Sequence, residues 1–281
     1  MQRHDPQFIG IGAEHAGLGI VVRLLTAHPG ISDTIPALNF FNTDAFEQKG
    51  TDWYESHFLK EAPAELQGES SPGYLKSSGV ASRIVSLYPD TKLFVIVRNP
   101  LERAIAQYQH ACMTKKISKQ ISCARYLTTY PNAQTAGFYG KHLHDFFAYY
   151  SSLQLHVIVY EDFVSDPLKV MQALYGFLEV DTNFIPKALA HYAPPPDEPK
   201  HRGRISRLIH VCIGLIKKIK RRTVIPITPP AIVVGEYLSP SEIITFKRAF
   251  AVDSTHLTNL LHRDMPVFWD LLPVSSDLLN E

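Results

Sequence analysis

A glycine-rich loop near the start of the chain has the composition and position of an anion-binding site. It lies between an apolar run and a helical pattern, and it reads Gly10-Ile11-Gly12-Ala13-Glu14-His15-Ala16-Gly17-Leu18-Gly19. Backbone N–H groups and the positive end of a helix dipole bind phosphate at such strand-to-helix turns. A tight turn that lets the helix pack closely on a sheet would have the same composition. The loop is therefore a phosphate candidate by position.

A second candidate anion ligand is Arg98, which directly follows the most strand-like run of the chain, residues 92–97. A guanidinium held at a strand end binds phosphate through paired, charge-assisted hydrogen bonds. The alternative for Arg98 is a surface ion pair, for instance with Glu102. Arg103, five residues further on, is an alternative candidate for the phosphate.

Two known phosphate-binding fingerprints do not fit the loop. A dinucleotide fingerprint that starts at Gly10 and Gly12 requires a third glycine at position 15, which is His15. Gly12 and Gly17 have the spacing of a P-loop, but the next two residues are leucine and glycine instead of a lysine and a magnesium-binding hydroxyl. The sequence therefore favours neither a Rossmann dinucleotide site nor an NTPase.

The elements that must position these residues alternate along the chain. Strand-like runs at residues 8–11, 92–97 and 155–159 are separated by helical patterns that include 18–25, 52–59, 77–87, 139–150 and 167–178. This alternation predicts right-handed βαβ units on a parallel sheet flanked by helices, an α/β fold. Ligands of such sheets bind beyond the carboxyl ends of the strands, where we expect both the loop and Arg98.

Composition excludes several classes of protein. The 281 residues contain 28 Lys+Arg and 27 Asp+Glu, a formal net charge of +1, which is not that of a nonspecific nucleic-acid binder. No window approaches the ~18 apolar residues of a membrane span. Three widely spaced cysteines argue against a disulfide framework or a zinc site. The first residues lack a signal-peptide pattern, so we expect a cytoplasmic protein with one domain over residues 1–281.

The later part of the chain is less informative. Residues 193–204 are proline-rich and then basic, which indicates a surface loop or tether. Apolar residues recur at helical spacing from Ile205, and five basic residues lie between Lys217 and Arg222. The segment Ile205–Arg222 is either a helix packed on the domain with a solvated basic end or a helix at a membrane surface. Residues 231–270 are predicted to form one more helical region.

Several further motifs, taken in order, resemble the sulfotransferases that use 3′-phosphoadenosine 5′-phosphosulfate (PAPS). They are Asn39-Phe40-Phe41, Gly50-Thr51-Asp52-Trp53-Tyr54, Ser71-Pro72-Gly73-Tyr74-Leu75, Arg98-Asn99-Pro100-Leu101-Glu102-Arg103-Ala104, Tyr160-Glu161-Asp162-Phe163, Asp166-Pro167, Phe177-Leu178 and Leu261-His262-Arg263-Asp264. The chain is most similar to bacterial relatives of the carbohydrate sulfotransferases. The resemblance implies a P-loop-like sulfotransferase fold and transfer of a sulfuryl group, without a metal, to a hydroxyl of a carbohydrate or similar acceptor.

The same resemblance implies which residues contact PAPS or its product 3′-phosphoadenosine 5′-phosphate (PAP). Arg98 would bind the 3′-phosphate, although Ala106 stands where a serine usually assists. Arg202 and Gly203 belong to a basic loop, 200–204, that would close over the same phosphate or else is a solvated charge run. The first-loop contacts would come from His15, Ala16, Gly17, Leu18 and Gly19.

The usual catalytic side chains are absent from the positions that the resemblance implies. The first-loop lysine is His15, the hydroxyl residues after its glycine are Leu18 and Gly19, the lysine and glutamate before Asn39 are Pro36 and Ala37, and the lysine before the Ser-Pro pair is Ser70. One lost charge stabiliser commonly costs ~2.7–4 kcal/mol of barrier, and a lost general base ~10²–10⁴-fold in rate. The sequence therefore predicts little ordinary activity.

Two hypotheses remain open. In the first, the protein is an enzyme with a rearranged site, in which His15, Arg98 and the basic loop 200–204 bind the cofactor and an unrecognised residue acts as the base. Near a diphosphate, His15 would be protonated and would partly replace the lysine. Glu14 beside it would oppose that charge. Glu69, His57 and Asp44 are candidate acids or bases, although a structural role suits each of them better. In the second hypothesis, the chain is a non-catalytic binding or scaffold protein on the same fold.

Overall fold

The computed structural model describes residues 5–58, 66–118, 120–189 and 231–271. Within these ranges five strands form one sheet. In chain order they are Phe8–Gly12 (β1), Ile31–Pro36 (β2), Leu66–Ser70 (β3), Lys92–Val97 (β4) and Leu155–Val159 (β5). Their spatial order is β2-β3-β1-β4-β5, and every neighbouring pair is parallel. The predicted α/β class, a parallel sheet flanked by helices, is confirmed.

Helices connect the strands and cover the sheet. They are Leu18–Leu25 (α1), Ala45–Glu55 (α2), Val80–Leu87 (α3), Pro100–Met113 (α4), Cys123–Thr129 (α5), Asn132–Thr135 (α6), Tyr139–Phe147 (α7), Tyr160–Ser165 (α8), Pro167–Leu178 (α9), Pro240–Leu261 (α10) and Met265–Phe268 (α11). Helix α1 packs against α9, whereas α7 packs against α3 and α10. Right-handed crossovers place these two groups on opposite faces of the sheet.

The two central apolar strands bring the candidate site together. All of β1 is buried, and so is β4 after Lys92, as required of strands covered on both faces. The two strands pair directly, and the Ala13 N–H beyond β1 donates to the Ile96 carbonyl at 2.8 Å. The loop after β1 and the Arg98 that ends β4 therefore start from the same edge of the sheet.

Strands β2 and β3 were not predicted, because their sequences, ISDTIP and LQGES, lack a continuous apolar run. Strand β3 nevertheless lies between β2 and β1. A Cβ on Gly68 would stand 2.2 Å from the Phe8 carbonyl oxygen, so glycine permits this close pairing. The strand also places the loop over residues 71–79 at the carboxyl edge, beside the loop of β1.

Several predicted boundaries differ from the structure. The helix expected over 52–59 is α2, which starts at Ala45 and ends at Glu55. Helix α3 starts three residues later than expected, after Gly79 in a left-handed conformation, and α7 ends at Phe147. The single helical region expected over 231–270 contains a 3-10 turn (Val234–Glu236), α10 and α11.

Arg202 and Gly203 of the predicted basic loop, and the helix expected over 205–222, lie outside the described residues. Among the residues that are described, no helix is long and apolar enough to cross a membrane. The same part of the chain has no group of three or more histidine, cysteine or acidic side chains arranged to hold a metal ion.

Candidate active site

The loop between β1 and α1 turns sharply at Gly17. The φ angle of Gly17 is 106°, which favours glycine, and a Cβ there would lie 3.0 Å from Cδ2 of the Tyr160 ring. Glycine at this position thus lets the backbone pass close to Tyr160 of α8 and turn directly into α1. The strand-loop-helix arrangement predicted from the sequence is confirmed.

The start of α1 presents unpaired backbone donors. In the part of the chain that the structure describes, the N–H groups of Gly17, Leu18 and Gly19 donate to no acceptor, and no side chain caps the helix. Such donors at a helix N-terminus, together with the helix dipole, are suited to an anion. The loop therefore has the geometry of a phosphate cradle.

A cavity of about 650 Å³ opens in front of this cradle. Its lining residues come from the loop, α1, α4 and the segment after α4, and include His15, Gly19, Arg23, His110 and Lys116. A side chain at position 19 would meet nothing within 4 Å. Leu18 differs, since its side chain is buried against Gly10. The cavity thus combines free N–H groups with two basic side chains.

Arg98 is held beside the loop rather than in the cavity wall. Its guanidinium carbon lies 4.4 Å from the centroid of the Tyr160 ring, whose edge contacts Gly17, and one terminal nitrogen is 2.8 Å from a Glu102 oxygen. The ion pair considered for Arg98 therefore exists. The side chain is 4% exposed, and its Nε is buried without a hydrogen-bond partner among the described residues. Arg98 thus keeps an unused donor.

Arg103, the alternative phosphate ligand, has a structural role. It is fully buried, and its guanidinium donates to Gln107 Oε1 at 2.9 Å and to the Ala133 carbonyl. The bond to Ala133 ties α4 to α6, and the bond to Gln107 lies within α4. Because the side chain has no exposed surface, Arg98 is the better phosphate ligand of the two.

The positions where a base and a lysine are expected lie next to each other. Ala37 follows β2 and Ser70 ends β3, and the Ala37 N–H donates to the Ser70 carbonyl at 2.8 Å. Neither side chain can transfer a proton or carry a charge at neutral pH. The structure therefore brings the expected positions together without the expected chemistry.

An ion pair that the sequence analysis missed lies at the same edge. Lys76 Nζ is 2.6 Å from Glu14 Oε2, and the side chains are 30% and 28% exposed. The two residues are 62 positions apart, so no local spacing pairs them. The available signal was that Lys76 follows the Ser-Pro motif, in a loop that leaves the sheet beside Glu14.

The profile of the sulfotransferase domain family matches residues 5–193. The chain belongs to the sulfotransferase family. It is 27% identical over 186 residues to mouse heparan sulfate glucosamine 3-O-sulfotransferase 5, which covers 62% of this chain and 54% of the relative. It is 28% identical over 201 residues to mouse bifunctional heparan sulfate N-deacetylase/N-sulfotransferase 4. That match covers 64% of this chain and 23% of the relative. The chain thus spans about half or less of these relatives.

Solved structures agree on the fold of this sulfotransferase. A sulfotransferase from Alicyclobacillus acidocaldarius superimposes with a TM-score of 0.69 at 21% identity, over 94% of this chain and 98% of the other. A mouse sulfotransferase complexed with PAP gives a TM-score of 0.54 at 15% identity, over 92% and 89%. The P-loop-like sulfotransferase fold implied by the sequence resemblance is therefore confirmed.

His15 of this sulfotransferase is neutral at pH 7. Its ring lies 5.2 Å from the His110 ring, and burial, followed by the positive charge of Arg103, lowers its pKa to about 4. A neutral imidazole does not supply the fixed charge of a lysine. The expectation that His15 is protonated beside a bound diphosphate, and so partly replaces that lysine, stays a prediction, because this pKa belongs to the protein without the anion.

The low pKa of His15 makes stability depend on pH. Because the unfolded chain takes up a proton near pH 6.5 and the folded chain takes it up near 4, acid favours the unfolded state between these values. We expect the free energy of unfolding, measured with urea at pH 7 and pH 5, to fall less in His15→Asn than in the wild type. His144→Asn, at an exposed ring on α7, is the control and should match the wild type. Equal pH dependence in all three proteins would contradict the assignment.

Glu69, one of the candidate acids, has a structural role. It is fully buried, and Oε1 accepts hydrogen bonds from the Tyr54 and Tyr74 hydroxyls, both at 2.8 Å. Oε2 of Glu69 accepts a hydrogen bond from Ser71 Oγ at 2.7 Å. The Ser71 Oγ in turn accepts one from the Asn39 N–H at 2.9 Å. Burial raises the pKa of Glu69 above its usual range. The network holds the Asn39 segment against β3.

His57 and Asp44 do not belong to the cleft chemistry either. The Nδ1 of His57 is 2.8 Å from the Trp53 carbonyl, one turn earlier in the chain. Asp44 is exposed and precedes α2 without capping it through its side chain. The hydrogen bond of His57 agrees with the structural role preferred in the sequence, whereas the role of Asp44 stays a prediction.

Proposed function

We propose that this sulfotransferase binds PAPS and its product PAP against the loop of residues 12–19, and that it transfers the sulfuryl group to a carbohydrate hydroxyl. The observation that carries the proposal is that two sets of free hydrogen-bond donors lie next to the same ring, that of Tyr160. The N–H groups of residues 17–19 have no acceptor, and Arg98 across Tyr160 has a buried Nε with no partner in the described chain.

The residues at this edge fit a nucleotide that carries phosphates at two positions. Free N–H groups of the loop suit the 5′-phosphate, and Arg98 suits the 3′-phosphate through a charge-assisted bond. Arg23 and Lys116 add positive charge to the wall of the cavity. PAPS, when bound, would supply an activated sulfuryl group whose leaving group is the 5′-phosphate. The chain's own part is to hold the phosphates and to place the acceptor.

The acceptor class rests on the relatives. The curated proteins described above are named for heparan sulfate, a carbohydrate. A hydroxyl of a carbohydrate is therefore the acceptor that we propose.

A non-catalytic protein that binds the same nucleotide is the second candidate. It is favoured by the side chains at three positions: His15 is neutral, and Ala37 and Ser70 have no acid–base group. Turnover of labelled PAPS over a panel of glycans separates the two candidates. Transfer to a member of the panel supports the enzyme, whereas PAP binding without transfer supports the binding protein.

Titration calorimetry with PAP tests the shared part of both candidates. We expect PAP to bind equally well with magnesium and with EDTA, because Leu18 and Gly19 provide no hydroxyl to hold a metal beside the loop. AMP serves as the matched ligand, since it is PAP without the 3′-phosphate, and it should bind more weakly. Strict dependence of PAP binding on magnesium would contradict the sulfotransferase assignment of the site and favour an NTPase-like one.

A further inference from the structure

The ion pair of Glu14 and Lys76 stands where the two loops of the cleft meet. Glu14 belongs to the loop after β1, and Lys76 belongs to the loop between β3 and α3. The Lys76 ammonium lies 2.6 Å from Glu14 Oε2, and about a third of each side chain is exposed. The two groups are therefore paired with each other and within reach of a ligand.

The second oxygen of Glu14 faces a group of amides. The point where a Cβ of Gly73 would stand is 3.0 Å from Asn42 Nδ2, 3.6 Å from Glu14 Oε1 and 3.8 Å from Asn39 Oδ1. Asn42 Oδ1 is buried and lacks a hydrogen-bond partner among the residues that the structure describes. Glu14, Asn39, Asn42 and Lys76 form what we call the Gly73 cluster, which has unused capacity to bind a polar ligand.

The position of Glu14 relative to Asn39 connects this cluster to the chemistry. The sequence resemblance implies a general base at position 37, where this chain has alanine. Asn39 is two residues further on, and its side chain shares the surroundings of Gly73 with the Glu14 carboxylate. A carboxylate from another loop therefore reaches the neighbourhood that lacks its own base.

The pair also joins two cavities. Glu14 lines the cavity in front of α1, where the nucleotide is proposed to bind. Lys76 lines a groove of about 400 Å³ between the β3–α3 loop and α7, together with the hydroxyls of Ser77, Ser78 and Ser82. A hydroxyl-rich groove with an ammonium in its wall suits a carbohydrate. An acceptor in this groove would lie beside Lys76, whose ammonium is paired with the Glu14 carboxylate of the nucleotide cavity.

We propose that Glu14 is the catalytic base of this sulfotransferase and that Lys76 positions its carboxylate through the ion pair and lines the acceptor groove. This inference rests on the proposed transfer function. The Glu14 carboxylate takes the proton of the acceptor hydroxyl, and the acceptor oxygen forms a bond to sulfur. The bond between sulfur and the bridging oxygen of the 5′-phosphate breaks, and its electron pair stays on the phosphate of PAP. The base, Glu14, and one cation, Lys76, thus stand at positions other than 37 and 70, where the family pattern implies them.

The test is Glu14→Gln in the full chain, with PAPS turnover and PAP binding measured side by side. We expect kcat to fall by ~10²–10⁴-fold, the range for loss of a general base. PAP should bind as tightly as in the wild type or more tightly, because a negative charge beside the phosphates is removed. Lys76→Met should lower kcat as well, and it should weaken PAP binding, because the Glu14 charge is then unpaired.

A matched control is Glu47→Gln, which breaks the Glu47–Arg83 ion pair of 3.0 Å between α2 and α3 and should leave kcat and PAP binding unchanged. Glu14→Asp keeps the carboxylate, so its kcat should lie between the wild type and Glu14→Gln, and it replaces the latter if that variant does not fold. If Glu14→Gln keeps the kcat of the wild type, Glu14 is not the base, but the proposed transfer function still stands. If the wild type binds PAP and shows no turnover, both the base and the transfer function are wrong.

Discussion

Replacement of Arg98 by alanine is expected to weaken PAP binding by more than ~1.5 kcal/mol, about tenfold in Kd, since a charged hydrogen bond to a desolvated phosphate contributes that much or more. The side chain is 4% exposed and lies over Tyr160, so little water competes for it. Calorimetric titration of both proteins with PAP measures the difference. Circular dichroism confirms that the variant is folded.

The contact between Arg98 and Glu102 refines this expectation. One terminal nitrogen is already engaged by Glu102 at 2.8 Å, whereas Nε has no partner in the described chain. Arg98→Lys keeps the charge but loses the planar fork and its stacking on the ring. We therefore expect the lysine variant to bind PAP less tightly than the wild type and more tightly than Arg98→Ala.

Arg83 provides a matched control for Arg98. It is also stacked on an aromatic ring, 4.6 Å from the centroid of Phe46, and paired with a glutamate, Glu47. Arg83 lies on α3 and does not line the cavity in front of α1. Arg83→Ala should therefore leave the Kd for PAP unchanged. The same Kd in the wild type, Arg98→Ala and Arg83→Ala would remove Arg98 from the nucleotide site.

The strands of this fold differ in how much their own residues reveal. Strands β1, β4 and β5 could be predicted because burial on both faces requires a nearly continuous apolar run. Strand β3 could not, since a charged residue, Glu69, lies in its buried interior bound to the hydroxyls of Tyr54, Ser71 and Tyr74, and Gly68 is there for close contact with Phe8, 60 residues away. Tertiary contacts, which no short window records, place this strand in the sheet.

Some features of the site could likewise be predicted from the sequence, and others could not. The loop and Arg98 could be predicted, since both follow strands and parallel strands end at one edge. The choice between Arg98 and Arg103 could not, because it depends on the Ala133 carbonyl that binds Arg103 inside the fold. The Glu14–Lys76 pair joins two loops 62 residues apart. Counting positions from a family pattern finds the missing residues and cannot find the ones that replace them.

The largest gain in activity is expected from restoring the family pattern as a whole. His15→Lys returns a fixed charge to the loop, Gly19→Thr and Leu18→Thr return hydroxyl donors, Ala37→Glu returns a base, and Ser70→Lys returns a cation. Residues that act as one catalytic unit are strongly non-additive, so single restorations should change turnover little. One preorganised charge stabiliser is commonly worth ~10²–10³-fold in kcat, and we expect the combined variant to gain at least that much.

The structure shows which of these changes the fold accepts. Position 19 has open space in front of it, and His15 already lines the cavity, so both substitutions fit. Leu18 is 5% exposed and packs over Gly10, so threonine there removes buried apolar contacts. A second combined variant that keeps Leu18 is therefore the control for stability, and it should retain most of the gain.

The combined variant also separates the restored base from the one proposed here. In the natural sequence, Glu14→Gln is expected to remove most of the turnover, because Glu14 is the proposed base and Glu69, another carboxylate near Asn39, is buried and hydrogen-bonded to Tyr54, Ser71 and Tyr74. In the combined variant the same change should cost far less, since the carboxylate introduced at position 37 supplies the base. Turnover of PAPS on one glycan panel, at one PAPS concentration, compares the four proteins. Equal losses from Glu14→Gln in both backgrounds would mean that Glu14 supports the loop instead of taking the proton, because a base made redundant loses its effect and a structural contact does not.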